Sequence, residues 1–394
     1  MNSVCMVVYQ NYYRDSRIRR YAEGLVASGA VVHVLCLRDA EGLPTSQTKG
    51  VKVFTLPLRH ATGSLSHYML AFDAALVLFT VRLLALYLRY HYQVIHVHNM
   101  PDYLVLSALI PRAIGARVIL DIHDPMPEFY ASRYLQAHSK GTVRLLRLQE
   151  RISVNIAHAV ITANTRFQAN LVSRGIPASK VTVINNVPDP AVFDRTLYRN
   201  GRQGDHPFTL IYAGTIAPRY GLDVAIGALP HLVGGIPGIK LVLIGGAQPQ
   251  YLSELRRLAE KLGVAGSVQF RPPISVDQVP QQMAQADIGI YPALPDLHME
   301  IATPSKVVEY AVMGLPIVAS RLKVLSQLFG DKAIAFFEPG NPEQLAECVE
   351  VLYADPARRR ELVENADAAY VCTHSWQAEQ QTYFDLLQRL LDST

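Results

Sequence analysis

Short apolar runs alternate with amphipathic stretches along most of the chain. VCMVVY at 4–9 and VVHVLCL at 31–37 are typical of buried strands, whereas the apolar spacing over 16–28 predicts a helix. This alternation indicates parallel sheets joined by crossover helices, so we expect an α/β fold. Further strands are predicted at 94–98, 117–123, 159–163, 208–214, 240–246, 268–270, 287–291 and 316–320, and further helices at 221–233, 250–262 and 304–313.

The chain length predicts more than one domain, because 394 residues exceed one ordinary hydrophobic core. A composition of 50% hydrophobic and 18% charged residues excludes a disordered or low-complexity protein. Gly and Pro cluster in VPDPAVFD at 187–194 and NGRQGDHP at 200–207, which marks a boundary. We therefore predict one domain over 1–195 and a second over 205–375.

The net charge of +4 conceals an asymmetry between the two halves. Residues 1–200 contain 22 Lys and Arg against 12 Asp and Glu, whereas residues 201–394 contain 15 against 21. The halves thus carry +10 and −6. The basic half suggests an anionic partner, for which a membrane surface is a candidate, and we expect no nucleic-acid partner.

Four cysteines in a chain of this length do not form a disulfide framework, and no pair has metal-ligand spacing. The N-terminal MNSVCMVVYQ resembles a first strand and lacks the charged and apolar regions of a signal peptide. We therefore expect reduced thiols and a cytoplasmic protein.

The most specific segment is ATPSKVVEYAVMGLPIVAS, residues 302–320. A Thr-Pro-Ser loop opens its helix, so free N–H groups and the positive dipole end face the preceding loop. Lys306 in the first turn opposes the dipole, and a bound phosphate would explain that placement. Glu309, three residues on, could accept hydrogen bonds from ribose hydroxyls. No P-loop, G-x-G-x-x-G or G-x-S-x-G motif occurs, which disfavours the commonest α/β enzymes.

This segment resembles the donor-binding signature of family 4 retaining glycosyltransferases of the GT-B fold. NYYRDSRIRRYAEGLVASGAVVHVL, VIHVHNMPD, ILDIHDPMPE, VINNVPDPAVFD and LIYAGTIAPRYGLD also resemble, in order, segments of the family's bacterial surface-polysaccharide members with Asp-x-Arg and Pro-Ser-Lys motifs. The resemblance implies two Rossmann-like domains facing each other across a cleft, with the last helix, 376–394, crossing back to the first domain. The implied donor is a UDP- or GDP-linked sugar and the implied acceptor is lipid-linked or an oligosaccharide.

The resemblance further implies a hexosyl- or N-acetylhexosaminyltransferase without a cofactor. No D-x-D sequence occurs, which suits catalysis without a metal. The second domain would bind the donor, and Lys306 and Arg219 would also stabilise the leaving diphosphate. Two departures stand out: Thr215 and Tyr220 replace an Arg and a Lys, and Ile301 replaces the first of two paired Glu, with Glu300 one residue off register. The expected donor-binding residues are Gly214, Thr215, Arg219, Gly245, Lys306 and Glu309.

In the first domain, His123 ends an apolar strand, where a parallel sheet presents functional residues. By resemblance, His123 is catalytic and contacts the transferred sugar. Asp15 is a candidate for acceptor binding, but an ion pair with Arg19 on the helix face explains it equally well. His96 and His98 share a strand face, but no third metal ligand is evident, so no metal is expected. The expected acceptor-binding residues are Asn11, Arg14, Asp15, Asn99, Asp102 and Asp124.

The stretch YMLAFDAALVLFTVRLLALYLRYHY, residues 68–92, approaches the length of a membrane span. Asp73 and Arg82 would be costly at bilayer depth. An interfacial helix and a helix that covers the sheet are about equally good interpretations. The basic surplus of this half, to which Arg133, Arg144, Arg147 and Arg151 contribute, slightly favours peripheral contact with anionic membrane at the inner face of the cell membrane.

Two other functions remain open. A GT-B-like sugar-nucleotide epimerase would share the fold and convert the donor without an acceptor. A non-catalytic module that binds nucleotide-sugar or membrane would fit the departures from the family pattern.

Overall fold

A computed structural model describes residues 3–38, 49–58, 65–134, 140–198 and 206–392; within these ranges, the side chains of residues 14, 65–71, 133–134 and 140 are not described. The chain forms two compact units. Met1–Asn186 and Gln377–Thr394 form the first unit, and Val187–Trp376 form the second.

The first unit is built on a seven-stranded sheet in the order β3-β2-β1-β4-β5-β6-β7, with every pair parallel. Its central strands are buried on both faces, which explains their nearly continuous apolar sequences. The strands are β1 Ser3–Val8, β2 Val31–Leu37, β3 Lys52–Leu56, β4 Val94–His98, β5 Arg117–Ile122, β6 Ala159–Thr162 and β7 Val181–Val183.

Helices cover both faces of this sheet, as crossover connections require. Asp15 begins the first helix, because its carboxylate accepts hydrogen bonds from the backbone N–H groups of Arg17 and Ile18. A 3-10 segment, Asp102–Ala108, follows β4. The helices are α1 Ser16–Ala27, α2 Leu65–Tyr90, α3 Leu109–Ala113, α4 Met126–Tyr134, α5 Lys140–Ile156 and α6 Thr165–Ser173.

The second unit contains a six-stranded parallel sheet in the order β10-β9-β8-β11-β12-β13. Its strands are β8 Thr209–Ala213, β9 Lys240–Ile244, β10 Val268–Arg271, β11 Ile288–Tyr291, β12 Ile317–Ser320 and β13 Ala335–Phe337. Its helices are α7 Leu222–Leu232, α8 Pro249–Lys261, α9 Val279–Met283, α10 Ser305–Val312, α11 Lys323–Phe329, α12 Pro342–Ala354 and α13 Pro356–Ala366.

The first unit ends at Asn186, whereas the predicted first domain extends to 195. The intervening residues belong to the second unit because they pack there. Phe193 lies in its core, and Arg195 forms an ion pair with Asp367 at 2.9 Å.

A final helix, α14 Trp376–Asp392, belongs to the first unit from Gln377 onward. The Tyr383 hydroxyl forms a 2.8 Å hydrogen bond with Nδ1 of the buried His96. Glu379 accepts hydrogen bonds from the backbone and side chain of Asn185.

Every predicted strand has a counterpart in the structure, and three strands, β3, β7 and β13, escaped prediction. All four cysteines are free thiols. Within the described part of the chain, no helix combines the length and the apolar character needed to cross a membrane.

Candidate functional site

Two glycines follow neighbouring strands of the second unit, at the edge where parallel sheets bind ligands. Gly214 follows β8 with φ +150°, and Gly245 follows β9 with φ +156°. A Cβ atom on Gly245 would overlap the carbonyl oxygen of Gly214, and one on Gly214 would overlap Cε of Lys306. The sequence therefore requires glycine at both positions to leave room for backbone and lysine.

Lys306 lies in the first turn of α10 and extends to the backbone of Gly214. Its Nζ lies 4.7 Å from the ring centroid of Tyr220 and 5.5 Å from that of Tyr212. Burial lowers the pKa of Lys306, Glu309 opposes that shift, and Arg219 adds to it. No carboxylate of a described residue lies within ion-pair distance of this Nζ. The site thus holds a partly desolvated positive charge without a direct counterion.

The N-terminus of α10 begins at Ser305 without a side-chain cap. Its first N–H groups and its dipole therefore favour an anion in front of the helix. Glu309 lies one turn along the same helix, near enough to Lys306 to influence its pKa. The structure brings together Lys306, Glu309, Gly214 and Gly245, four of the predicted donor-binding residues.

Arg219 and Thr215 follow Gly214 in the loop between β8 and α7. Arg219 forms an ion pair with Asp296 at 2.9 Å, so its charge is partly neutralised. The Thr215 carbonyl accepts a 2.8 Å hydrogen bond from the Tyr212 hydroxyl, which fixes the start of the loop. Sequence reasoning missed Asp296, because a carboxylate 77 residues away gave no local signal.

Glu300 does not replace the acid that the family pattern has at position 301. Its carboxylate accepts a 2.9 Å hydrogen bond from the backbone N–H of Lys323 at the start of α11. It therefore caps another helix.

In the first unit, Asn99 ties together the ends of two neighbouring strands. Its side-chain oxygen accepts hydrogen bonds from the backbone N–H groups of His123, at 3.2 Å, and Asp124, at 3.4 Å. Its amide donates to the Asp102 carboxylate at 2.9 Å and to the Asp124 carbonyl at 2.6 Å. Asn99 thus positions the loop that carries His123.

His123 is the accessible member of this group. Its side chain is 22% exposed, and its Nδ1 lies 4.0 Å from Oδ2 of Asp121. Asp124 is half-buried, whereas Asp102 is completely buried. Burial raises the pKa of Asp102 to about 6, although the hydrogen bond from Asn99 opposes this shift. Asp102 and Asn99, both predicted to bind acceptor hydroxyls, hold each other beneath the loop.

A buried ion pair lies under His123. Arg17 donates from Nε to Oδ2 of Asp121 at 2.8 Å and from Nη2 to Oδ1 at 3.1 Å. His98 Nδ1 lies 3.2 Å from the same Oδ2. Burial alone would raise the pKa of Asp121, but the Arg17 guanidinium holds it well below its usual range. Asp121 is the one charged residue within the apolar run 118–122 of β5, and that interruption could have drawn attention to it.

Asp121 lies beside His96 and His98 and could serve as a third metal ligand, which the sequence did not reveal. Ligand atoms of the three lie within 4.8 Å of one another. Arg17, however, occupies both carboxylate oxygens and brings a positive charge to the cluster. His96 is also engaged by Tyr383, so the donor set fits an ion pair better than a divalent cation.

The remaining first-unit candidates lie after β1. Asn11 accepts a 2.8 Å hydrogen bond from the backbone of Tyr13 and is buried. Asp15 caps α1, and Arg19 bonds to Glu23, so pairing between Asp15 and Arg19 is not the arrangement found. The side chains of Arg14 and Arg133 lie outside those described.

Both units match models of protein families. Residues 15–187 match the model described as "Glycosyl transferase 4-like domain". Residues 195–369 match the model described as "Glycosyl transferases group 1". A GDP-mannose-dependent alpha-(1-6)-phosphatidylinositol monomannoside mannosyltransferase of Mycobacterium tuberculosis is 36% identical over 105 residues, covering 27% of this chain and 26% of that protein. The matched segment is thus about a quarter of that relative.

Solved structures resemble the whole chain. Sucrose-phosphate synthase from Thermosynechococcus elongatus aligns with a TM-score of 0.79 and 17% identity over 100% of both chains. Anabaena HepE in complex with UDP and glucose aligns with a TM-score of 0.69 and 17% identity, covering 99% of this chain and 100% of that one. The first unit therefore carries a glycosyl transferase 4-like domain, the second a glycosyl transferases group 1 domain, and the chain has the GT-B fold of two Rossmann-like domains.

Proposed function

We propose that this protein is a retaining glycosyltransferase that moves a sugar from a nucleotide-diphosphate sugar to a lipid-linked or saccharide acceptor. The observation that carries the proposal is the Lys306 ammonium, which lies against Gly214 at a strand end with no carboxylate of the described residues within ion-pair distance. A diphosphate would supply the missing negative charge. The two glycines would let its oxygens approach the backbone.

Departure of the nucleotide diphosphate builds negative charge on its phosphate oxygens. Lys306 and the N-terminus of α10 would stabilise that charge, and Arg219 would contribute on turning from Asp296. Glu309 would bind ribose hydroxyls. We assign to His123 the contact with the transferred sugar, since it is the accessible histidine of its strand end.

The donor and acceptor classes also draw support from the comparisons. HepE binds UDP and glucose, and the mycobacterial relative is named for GDP-mannose and a phosphatidylinositol mannoside. We therefore propose a UDP- or GDP-linked hexose or N-acetylhexosamine as donor. A cytoplasmic role in bacterial surface-polysaccharide biosynthesis, without a metal or other cofactor, completes the proposal.

The proposal is tested by incubating the protein with UDP- and GDP-sugars, with and without lipid-linked acceptors, and analysing the products by mass spectrometry. Acceptor-dependent release of nucleotide supports the transferase. An isomerised donor would instead identify an epimerase, and binding without turnover a non-catalytic module.

Lys306→Ala and Glu309→Ala should each lower transfer by at least about tenfold, the effect expected from loss of a charge-assisted contact. Lys323→Ala and Glu347→Ala remove the same side-chain types from exposed positions of the same unit and serve as controls. Transfer at the wild-type rate by Lys306→Ala would refute the assignment of the donor site.

A further inference from the structure

Three helices of the first unit form one layer on the sheet. The connections that contain α2, α3 and α5 all run in the same direction along the strand order, from β3 to β4, from β4 to β5 and from β5 to β6. Right-handed crossovers therefore place them on the same face. Both α2 and α5 pack against the 3-10 segment that leads into α3.

The first of these helices, α2, is apolar on its outer side as well as its inner side. Phe79 and Leu83 are fully buried in the core. Val77, Val81 and Leu88 point away from it and are 58–64% exposed. Since the inner face is committed to the core, the helix covers the sheet and still presents an exposed apolar stripe.

The same arrangement occurs on α5. Leu145, Leu148 and Ile152, spaced as i, i+3 and i+7, are about half exposed on one stripe. The helix is otherwise amphipathic and packs its opposite side through residues such as Val154.

On α3 and just beyond it, Leu109, Ile110 and Ile114 are also exposed. Most of the exposed large apolar side chains of the described residues thus lie on or beside these three helices. We call their solvent-facing side the α2–α3–α5 surface.

The exposed charges of this surface are predominantly basic. Arg144, Arg147 and Arg151 flank the apolar stripe of α5, each one residue before an exposed apolar side chain. Arg82 and Arg89 on α2 and Arg112 on α3 are also exposed. Among the described side chains of the three helices, Asp73 is the one exposed acid, because Glu150 is buried.

We propose that the α2–α3–α5 surface docks on an anionic lipid bilayer. Apolar side chains interleaved with arginine are the pattern of helices that lie in the headgroup region, where the apolar atoms enter the acyl boundary and the guanidinium groups bind lipid phosphates. A symmetric dimer through the same surface would bring like charges together, because each copy contributes the same arginine-rich patch. Anionic lipid is therefore the occupant that the charges favour. This inference does not depend on the proposed glycosyl transfer.

The test is co-sedimentation of the purified full chain with vesicles of phosphatidylcholine alone and of phosphatidylcholine with phosphatidylglycerol. Wild type should bind the anionic vesicles at low salt and release as salt is raised. Arg144→Gln/Arg147→Gln/Arg151→Gln should weaken binding by at least about tenfold, since each basic residue near the surface contributes. Leu145→Ser/Leu148→Ser should weaken it at both low and high salt, because apolar insertion is not screened.

Matched controls are Arg257→Gln/Arg360→Gln and Val351→Ser, at exposed positions of helices in the second unit. Circular dichroism confirms that each variant is folded. The proposal is overturned if wild type does not bind anionic vesicles at low salt, or if the controls lose binding as much as the α5 variants. It is also overturned if the protein is a dimer that the α5 substitutions dissociate while wild type ignores vesicles.

Discussion

The strand ends of the two units differ in how their charged side chains are paired. In the first unit, the buried Arg17–Asp121 pair is engaged at both carboxylate oxygens, and Asn99 joins one oxygen of Asp102 to the His123 loop. In the second unit, two glycines leave space into which Lys306 extends, and none of the carboxylates that the structure describes pairs directly with it.

This difference indicates a division of labour. An ion pair engaged at both carboxylate oxygens, such as Arg17–Asp121, fixes the positions of its groups and has little charge left to offer a ligand. A partly desolvated lysine in the first turn of a helix without a side-chain cap favours the binding of an anion. Substitutions should therefore damage stability in the first unit and ligand handling in the second.

The largest effect is expected from Asp121→Asn. It removes the negative charge opposite Arg17 and leaves a buried guanidinium without its counterion, which should lower the free energy of unfolding by about 3–5 kcal/mol. Urea unfolding followed by circular dichroism measures the change. Glu361→Gln, which breaks the exposed pair with Arg358, should cost less than about 1 kcal/mol.

A second substitution separates charge from strain. If the unpaired guanidinium causes the loss, adding Arg17→Met to Asp121→Asn should restore much of the stability. Equal losses of unfolding free energy for Asp121→Asn and Glu361→Gln would refute the claim that the buried pair of the first unit is important for stability.

In the second unit, Gly214→Ala should impair transfer more than folding. The added Cβ overlaps Cε of Lys306, and the φ of +150° is one that L side chains rarely adopt. A displacement of about 1 Å at a reacting group costs about a hundredfold in rate, or about 2.7 kcal/mol of barrier. The donor assay measures the rate, and circular dichroism the fold.

Gly246→Ala is the matched control, since a Cβ there meets nothing within 4 Å. Equal rates for the two alanine variants would show that the space over Gly214 is not required.

The smallest effect concerns the pH dependence of the first unit. The pKa of Asp102 is about 6 in the folded protein and near 4 in the unfolded chain, so ionisation destabilises the native state as pH rises through this interval. The Asn side chain of Asp102→Asn cannot ionise. The free energy of unfolding of this variant, relative to that of wild type, should therefore rise by about 2 kcal/mol between pH 4.5 and 7.5. Urea unfolding at both pH values tests this.

Asp385→Asn is the control, because it removes a carboxylate from an exposed position of α14. A pH-independent difference between wild type and Asp102→Asn would contradict the proposed burial of charge.

Sequence patterns found the interior of both sheets and missed three of their edges. The three strands without a predicted counterpart, β3, β7 and β13, are all edge strands and are only partly buried. An edge strand buries fewer side chains, so its sequence lacks the continuous apolar run that identifies a central strand. The apolar sequence pattern that identifies a strand therefore weakens as fewer of its side chains are buried.

The candidate site divides in the same way. The sequence was sufficient to identify Lys306, Glu309 and the glycines, because they follow strands or open a helix within short motifs. Asp121 and Asp296 act on partners 104 and 77 residues away, and no local pattern encodes such distances. Pairing across a fold is decided by which strands become neighbours.

The position of α14 has a consequence for the order of folding during synthesis. The ring centroids of Tyr383 and Tyr21 lie 4.5 Å apart, and the Tyr383 hydroxyl hydrogen-bonds to His96. The first unit therefore completes its interior with residues that are synthesised after the whole of the second unit. The second unit, by contrast, is continuous from Val187 to Trp376 and is fully synthesised earlier. Although domains commonly fold from the N-terminus onward, here the second unit is complete first, and the first unit waits for α14.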